Sequence, residues 1–240
     1  VASEYRYRDP LLTEKTLVIV ISQSGETADT LAALRESQRR GAKVLGIVNV
    51  VGSSLAREAD AVLYTWAGPE IAVASTKAYT AQLVVLYLFA LYLAELRGTL
   101  SEAERAGLVA ALQALPEQVE AVLGLAETMK GHAESVADAT SLFFIGRGLD
   151  YAVALEGSLK LKEISYIHSE AYAAGELKHG TLALIEDGVP VVALATQPNL
   201  LDKMVSNITE VKARGARVIA LAMTGKAELA QTVDDLILLP

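Results

Sequence analysis

LVIVISQSGETADTLAALRESQRRGAKVLGIVNV (residues 17–50) decides the fold. It opens on an apolar, largely β-branched run, LVIVI (17–21), and passes through a turn of hydroxyl residues and glycine, SQSGET (22–27). A helical pattern, TADTLAALRESQRR (27–40), then leads through Gly41 to a second apolar run, VLGIV (44–48). A short apolar strand, a helix and another such strand read as a βαβ crossover, with helices covering the faces of a parallel sheet. Three further runs of this kind follow, LFFIG (142–146), VVALA (191–195) and VIALA (218–222), separated by helical patterns. The expectation is an α/β protein whose parallel sheets are flanked by helices, in the three-layer manner of flavodoxin-like and Rossmann-like folds.

The chain also repeats itself. Adding 174 carries LVIVISQ (17–23) onto VVALATQ (191–197), RRGAKVLGI (39–47) onto ARGARVIAL (213–221), and Asp60 onto Asp234. One offset shared by matches this far apart predicts two copies of a single α/β subdomain. The boundaries that follow are 1–98 for the first copy, 99–130 for a helical linker broken at Pro116, and 131–240 for the second copy. The LFFIGRG opening of the second copy would have its partner near 146 − 174 = −28, and the helix after Gly68 would have its partner from about residue 242, beyond Pro240. The repeat therefore predicts a first copy lacking its opening βα unit and a second lacking its closing helix.

Composition narrows the chemistry. The chain has 240 residues, is 52% hydrophobic, carries a formal charge of −8, and contains no cysteine. That much apolar sequence can bury a substantial core, and the lack of cysteine fits a reducing compartment, the cytoplasm. An acidic chain does not offer the basic stripe that nucleic acid requires. His132, His168 and His179 show no metal-pair spacing, so neither a metal nor a cofactor is expected. VASEYRYRDP at the start lacks the order of a secretion signal. AYTAQLVVLYLFALYLA (78–94) is uncharged and near the short limit of roughly 17–25 residues for a membrane span. With Thr80 and Gln82 inside it, we expect a buried core or dimer-interface helix rather than a span.

Five segments could carry chemistry. SQSGET places hydroxyls and glycine between a strand and a helix, where free N–H groups and the helix dipole suit a phosphate; Ser24 acting as an ordinary N-cap, with Thr27 close behind, is the other reading. VASTKAYT (73–80) sets Ser75, Thr76 and Lys77 at a second helix start, where the lysine needs an anion or solvent. In NVVGSSLARE (49–58), Gly52, Ser53 and Ser54 read as a capping turn. YAVALEGSLKLKEISYI (151–167) puts Glu156, Lys160 and Glu163 on one helical stripe, either a surface ion-pair row or a proton shuttle with a charged neighbour. The other faces of this helix hold Val153, Leu155, Leu159, Leu161 and Ile164, which places the stripe at the edge of a buried surface. Gly157 in mid-helix predicts close approach of a backbone or a ligand. HSEAYAAGELKHGTLAL (168–184) reads as a glycine-punctuated loop carrying His179, whose neutral form is favoured if the adjacent Lys178 comes close.

Taken together, SQSGETADTLAALR, NVVGSSLARE, VASTKA, GRG, ALEGSLKLKEISYIHSEAYAAGELKHG and ARGARV resemble the isomerase (SIS) domain of the glucosamine-6-phosphate synthases, the glutamine:fructose-6-phosphate amidotransferases, over nearly the whole chain. SQSGET alone is common to many SIS domains, whereas the block ending in ELKHG is far more particular. The resemblance implies an enzyme that binds fructose 6-phosphate, opens its ring and moves a proton between C1 and C2. It would yield glucosamine 6-phosphate when a glutaminase domain supplies ammonia. It assigns the phosphate to Ser22, Gln23, Ser24 and Thr27, and sugar contacts to Val73 and Ser75. Glu163 becomes the base, Lys160 and Glu156 its supports, and His179 the ring-opening group, which in the family reaches into the neighbouring site of a homodimer.

Three departures qualify the resemblance. Thr181 stands where the family reads HGP, and the family's cysteine–glycine–threonine–serine loop falls ahead of residue 1. Its tail with a Schiff-base lysine falls after Pro240, and the glutaminase domain lies outside the sequence, so these residues alone are expected to be at best weakly active. Two other functions share the scaffold: a sugar-phosphate-binding regulator, and a related sugar-phosphate deaminase or isomerase. A regulator has no use for a base and a ring-opening histidine, which is how Glu163 and His179 discriminate.

Overall fold

The computed structural model describes residues 1–240, which divide into two compact units, Val1–Leu112 and Gln113–Pro240. In the first unit a short helix α1 (Ala2–Tyr5) precedes β1 (Leu17–Ser22), α2 (Ala28–Arg39), β2 (Lys43–Val48), α3 (Ser54–Glu58), β3 (Ala61–Tyr64) and α4 (Lys77–Arg97). The strands lie in the order β1-β2-β3, all parallel. Helix α2 covers them because Thr30, Leu31, Ala33, Leu34 and Ser37 fall on one stripe, and Leu31 and Leu34 join Val20, Val44, Val48 and Leu55 in the core.

Helix α4 departs from expectation. Among its residues only Ala78 is buried, while Tyr87, Leu88, Tyr92 and Leu96 are exposed, so it is not a core helix of this unit. A helix apolar on all sides presents more apolar surface than three strands can cover. Its length and composition would let it cross a membrane, yet Val85, Leu88, Phe89 and Tyr92 line an apolar groove of about 410 Å³ with Leu45, Leu63 and Tyr64 of the sheet.

Helix α5 (Glu102–Leu123) runs unbroken through Pro116, and the bend, of 50°, falls instead before α6 (Ala126–Glu134). Proline leaves the carbonyl four residues earlier without its helical donor. That residue is Leu112, where the two units divide.

The second unit contains β4 (Ser141–Gly146), α7 (Leu149–Ser165), β5 (His168–Ala173), β6 (Pro190–Ala195), α8 (Leu201–Lys212), β7 (Arg217–Met223) and β8 (Asp235–Leu239). Its parallel order, β5-β4-β6-β7-β8, is the flavodoxin-like doubly wound arrangement. The segment expected as a loop from residue 168 begins as β5, an edge strand whose small residues gave no alternation to read. Pairing with β4 and the stacking of Tyr172 on Phe143 hold it. Two 3-10 turns follow, Ala174–His179 and Thr181–Leu184.

The repeat is real in the sheets but is not uniform. Gly41 and Gly215 both have φ of +88°, the left-handed value that only glycine adopts without strain. Asp60 accepts a hydrogen bond from Val44 N at 3.0 Å, and Asp234, 174 residues on, accepts from Val218 N at 2.7 Å. The first strands are offset by 173 instead, since Leu17 pairs with Lys43 whereas Pro190 pairs with Arg217. Side-chain parity forces this. Val18, Val20 and Ser22 turn inward in β1, as do Val191, Ala193 and Ala195 in β6, whereas an offset of 174 would match Val18 to the less buried Val192. One extra residue therefore separates strand from helix in the second copy: Ser22 to Leu34 is 12 steps, Ala195 to Ile208 is 13.

Asp60 is hydrogen-bonded first by the Lys43 ammonium and then by Val44 N, which hold its carboxyl at about 2, below the ordinary 3.8. A depressed carboxyl stabilises the fold fully above its unfolded value and loses that contribution on protonation. Stability is therefore expected to fall as pH drops from about 4 to about 2. In urea unfolding followed across that interval, Asp60→Asn should flatten the slope; an unaltered slope contradicts the assignment.

Candidate functional site

Ser22 ends β1 facing the core, and its Oγ accepts from Gly25 N at 3.0 Å while lying 3.3 Å from Thr27 Oγ1. Ser24 Oγ accepts from Glu26 N. Gly25 sits at φ +71°, and a Cβ there would lie 2.2 Å from Ser53 Oγ, so both conformation and space demand glycine. The N-cap of α2 is Thr27 rather than Ser24, and its side chain does not cap. The first N–H groups of a 12-residue helix thus emerge among Ser22, Ser24 and Thr27 with no side chain of the turn bonded to them. Glu26, the one acid in the turn, is drawn away: its carboxylate accepts from Ser54 N at 2.8 Å, and that bond first of all holds its pKa below the usual carboxylate range.

The turn is held from β2. Gln23 O accepts from Asn49 N at 3.2 Å, and Gly25 O accepts from Leu55 N at 3.0 Å. Ser53 caps α3, as expected of the NVVGSSLARE turn. Val73 and Ser75 lie on a separate loop between β3 and α4, Val73 fully exposed and Ser75 partly buried, and no hydrogen bond joins either to the turn. The end of that loop is fixed by Glu70, whose carboxylate accepts from Ala78 N (3.1 Å) and Thr76 N (3.2 Å). Those bonds, the Ala78 one foremost, hold Glu70 below the usual range, and Lys77 contributes its charge, so the lysine at this helix start has an anion nearby.

In the second unit the stripe on α7 forms a connected row. Lys160 Nζ donates to Glu163 Oε2 at 2.6 Å and lies 3.5 Å from Glu156 Oε1. The Glu163 bond first, with Glu156 adding charge, raises the Lys160 pKa and keeps the ammonium charged. The row is partly buried, with side-chain exposures of 22%, 23% and 35% for Lys160, Glu156 and Glu163. The apolar neighbours are placed differently from expectation. Val153, Leu155, Leu159 and Ile164 are exposed, and the helix instead buries Asp150, Ala154 and Ser158, small enough to let it lie close to the sheet. Gly157 lies against the Phe144 ring rather than another backbone, the ring being 3.1 Å from where its Cβ would stand.

His179 ends the first 3-10 turn and is largely exposed, its nearest ionic neighbour Glu176 at 3.8 Å. The condition for a cation beside it is not met, because Lys178 turns to Glu210 at 2.9 Å. No hydrogen bond or ion pair links His179 to the α7 row.

The counterpart of the serine turn in the second unit is tied to α7 and the residues just before it. Asp150 accepts from Thr196 N (2.9 Å) and Thr196 Oγ1 (2.5 Å), Gln197 Nε2 donates to Arg147 O (2.9 Å), and Pro198 has no N–H. Like α2, α8 has no side-chain cap, and the two turns differ in what braces them: hydroxyls in the first, Asp150, Gln197 and Pro198 in the second. Sequence reading overlooked Asn49, Glu70 and Asp150. An Asn ending an apolar strand was the one available signal, and the two acids hold groups distant in sequence.

The SIS domain family matches residues 1–92 and 135–239. The chain is 63% identical over its whole length to a glutamine–fructose-6-phosphate aminotransferase (isomerizing) of Symbiobacterium thermophilum, and it spans 39% of that relative's length. It is also 44% identical to the solved C-terminal domain of glucosamine-fructose-6-phosphate aminotransferase from Francisella tularensis, with a TM-score of 0.94 over 99% of this chain and 68% of that one. The tagatose-6-phosphate ketose/aldose isomerase of Escherichia coli shares the fold at 18% identity and a TM-score of 0.77. Parallel sheets, an uncapped helix behind a serine turn and these likenesses lead to one assignment: the chain belongs to the SIS domain family, within the isomerase part of the glutamine–fructose-6-phosphate aminotransferases.

Proposed function

We propose that the chain is the sugar-handling part of a glucosamine-6-phosphate synthase, acting on fructose 6-phosphate. The observation that carries this is the serine turn itself, where the hydroxyls of Ser22, Ser24 and Thr27 gather at the uncapped start of α2 while Glu26 is drawn away to Ser54 N. In a chain of charge −8, attraction for a phosphate must come from such local donors. Ser22, Gln23, Ser24 and Thr27 hold the phosphate, and Val73 and Ser75 contact the sugar.

Glu163 takes a proton from C1 of the open ketose and returns it at C2, while the hydroxyl proton moves from O1 to O2, so C1 is oxidised and C2 reduced with no external reagent. Lys160 stays charged and steadies the Glu163 carboxylate, with Glu156 on its other side. His179 assists ring opening. In this reading the two copies are SIS subdomains, residues 1–98 and 131–240. The protein works in the cytoplasm as a homodimer with His179 reaching the partner's site, and a glutaminase domain supplies the ammonia.

Calorimetric titration of the chain with fructose 6-phosphate should show binding, and Gly25→Ala should weaken it about tenfold or more, since left-handed alanine costs about 1–2 kcal/mol before the Ser53 clash is counted. Glu163→Gln, in a protein of the relatives' length carrying this sequence, should leave binding within about threefold yet slow isomerisation about 10²–10⁴-fold. Full turnover in that variant removes the assigned base.

A further inference from the structure

We propose that Asn49 is a positioning residue that locks the β3–α4 loop beside the serine turn, and so sets how far a hexose phosphate is preferred over bare phosphate. The inference rests on the phosphate reading above. Asn49 stands immediately after β2 and bonds in two directions. Its backbone N–H donates to Gln23 O in the serine turn. Its side chain takes the loop after β3: Oδ1 accepts from Ala67 N at 2.9 Å and Thr65 Oγ1 at 3.0 Å, and Nδ2 donates to Gly68 O at 2.7 Å. Both polar atoms of the amide are therefore engaged with one four-residue stretch. Beyond it the loop is held again at Glu70, leaving Val73 and Ser75 between Glu70 and the start of α4, which Glu70 caps.

The second copy shows that the fold does not need this clamp. Position 49 + 174 = 223 is a methionine, and 65 + 174 = 239 is a leucine. There the ladder continues one step further, Met223 pairing with Leu239, whereas in the first copy it stops at Val48–Tyr64. Backbone pairing closes one strand pair, and an asparagine side chain gives up that step in the other. What recurs, such as Asp60 and Asp234 at Val44 N and Val218 N, belongs to the scaffold. Asn49 does not recur, and it lies in the copy with the serine turn.

Binding of fructose 6-phosphate and of inorganic phosphate to the chain tests this, together with amide hydrogen exchange over residues 65–70. In Asn49→Ala the phosphate Kd should stay within about threefold, because the Asn49 N–H remains, while the fructose 6-phosphate Kd rises about tenfold or more and the Ala67 amide exchanges faster. Thr65→Val, which removes a single hydroxyl donor from a residue that keeps its β-branched shape, should shift the preference in the same direction by about two- to fivefold. An unchanged preference in both folded variants overturns the inference while leaving the phosphate site standing. Failure of the unaltered chain to bind either anion, or equal binding of both, overturns the site reading and this inference with it.

Discussion

The N–H groups at the start of a helix need partners, and around α2 none of the hydroxyls in the preceding turn supplies one. Ser22 and Thr27 lie against each other, Ser24 accepts from Glu26 N, and Glu26 is pulled across to Ser54. A turn organised this way has its shape fixed from below and its donors directed outward. Such a place suits an anion even where long-range electrostatics oppose one, as they do in a chain of charge −8. Gly25 is the hinge of the arrangement, since any Cβ there would strike Ser53.

Duplication supplies a control within the same molecule. Both copies keep the glycine at φ +88°, the aspartate that receives the next strand's N–H, and a helix laid on the sheet by a buried stripe. They diverge at the strand-to-helix turn, where the second copy has one residue more, an aspartate–threonine pair and a proline. The same scaffold thus braces its turn with hydroxyls in one copy and with an aspartate, a glutamine and a proline in the other. What distinguishes the copies is side-chain chemistry at strand ends, the location where doubly wound sheets place ligands.

The α7 row adds a different kind of chemistry. Lys160 between two carboxylates stays charged and holds Glu163 by a short bond, on a helix that lies close to its sheet through Ala154, Ser158 and Gly157. Close packing fixes the backbone beneath the row, which is how a flexible glutamate and lysine keep a defined geometry.

Sequence alone determined the parallel α/β class, five of the strands, the repeat, the serine turn and the spacing of Glu156, Lys160 and Glu163. All of these are written in local periodicity or in matches at one offset, which need no knowledge of what lies across the sheet. Tertiary structure alone decided that the first strands are offset by 173, because parity becomes visible only when one face is buried. It also decided that residue 168 begins an edge strand, that the apolar side chains of α7 lie outward, and that Lys178 turns to Glu210 rather than to His179. Asn49, Glu70 and Asp150 belong to the same group, since each acts through hydrogen bonds to residues brought near it by folding. A hydrogen bond has direction and a reach of about 3 Å, and neither is encoded in the order of residues until the chain has closed upon itself.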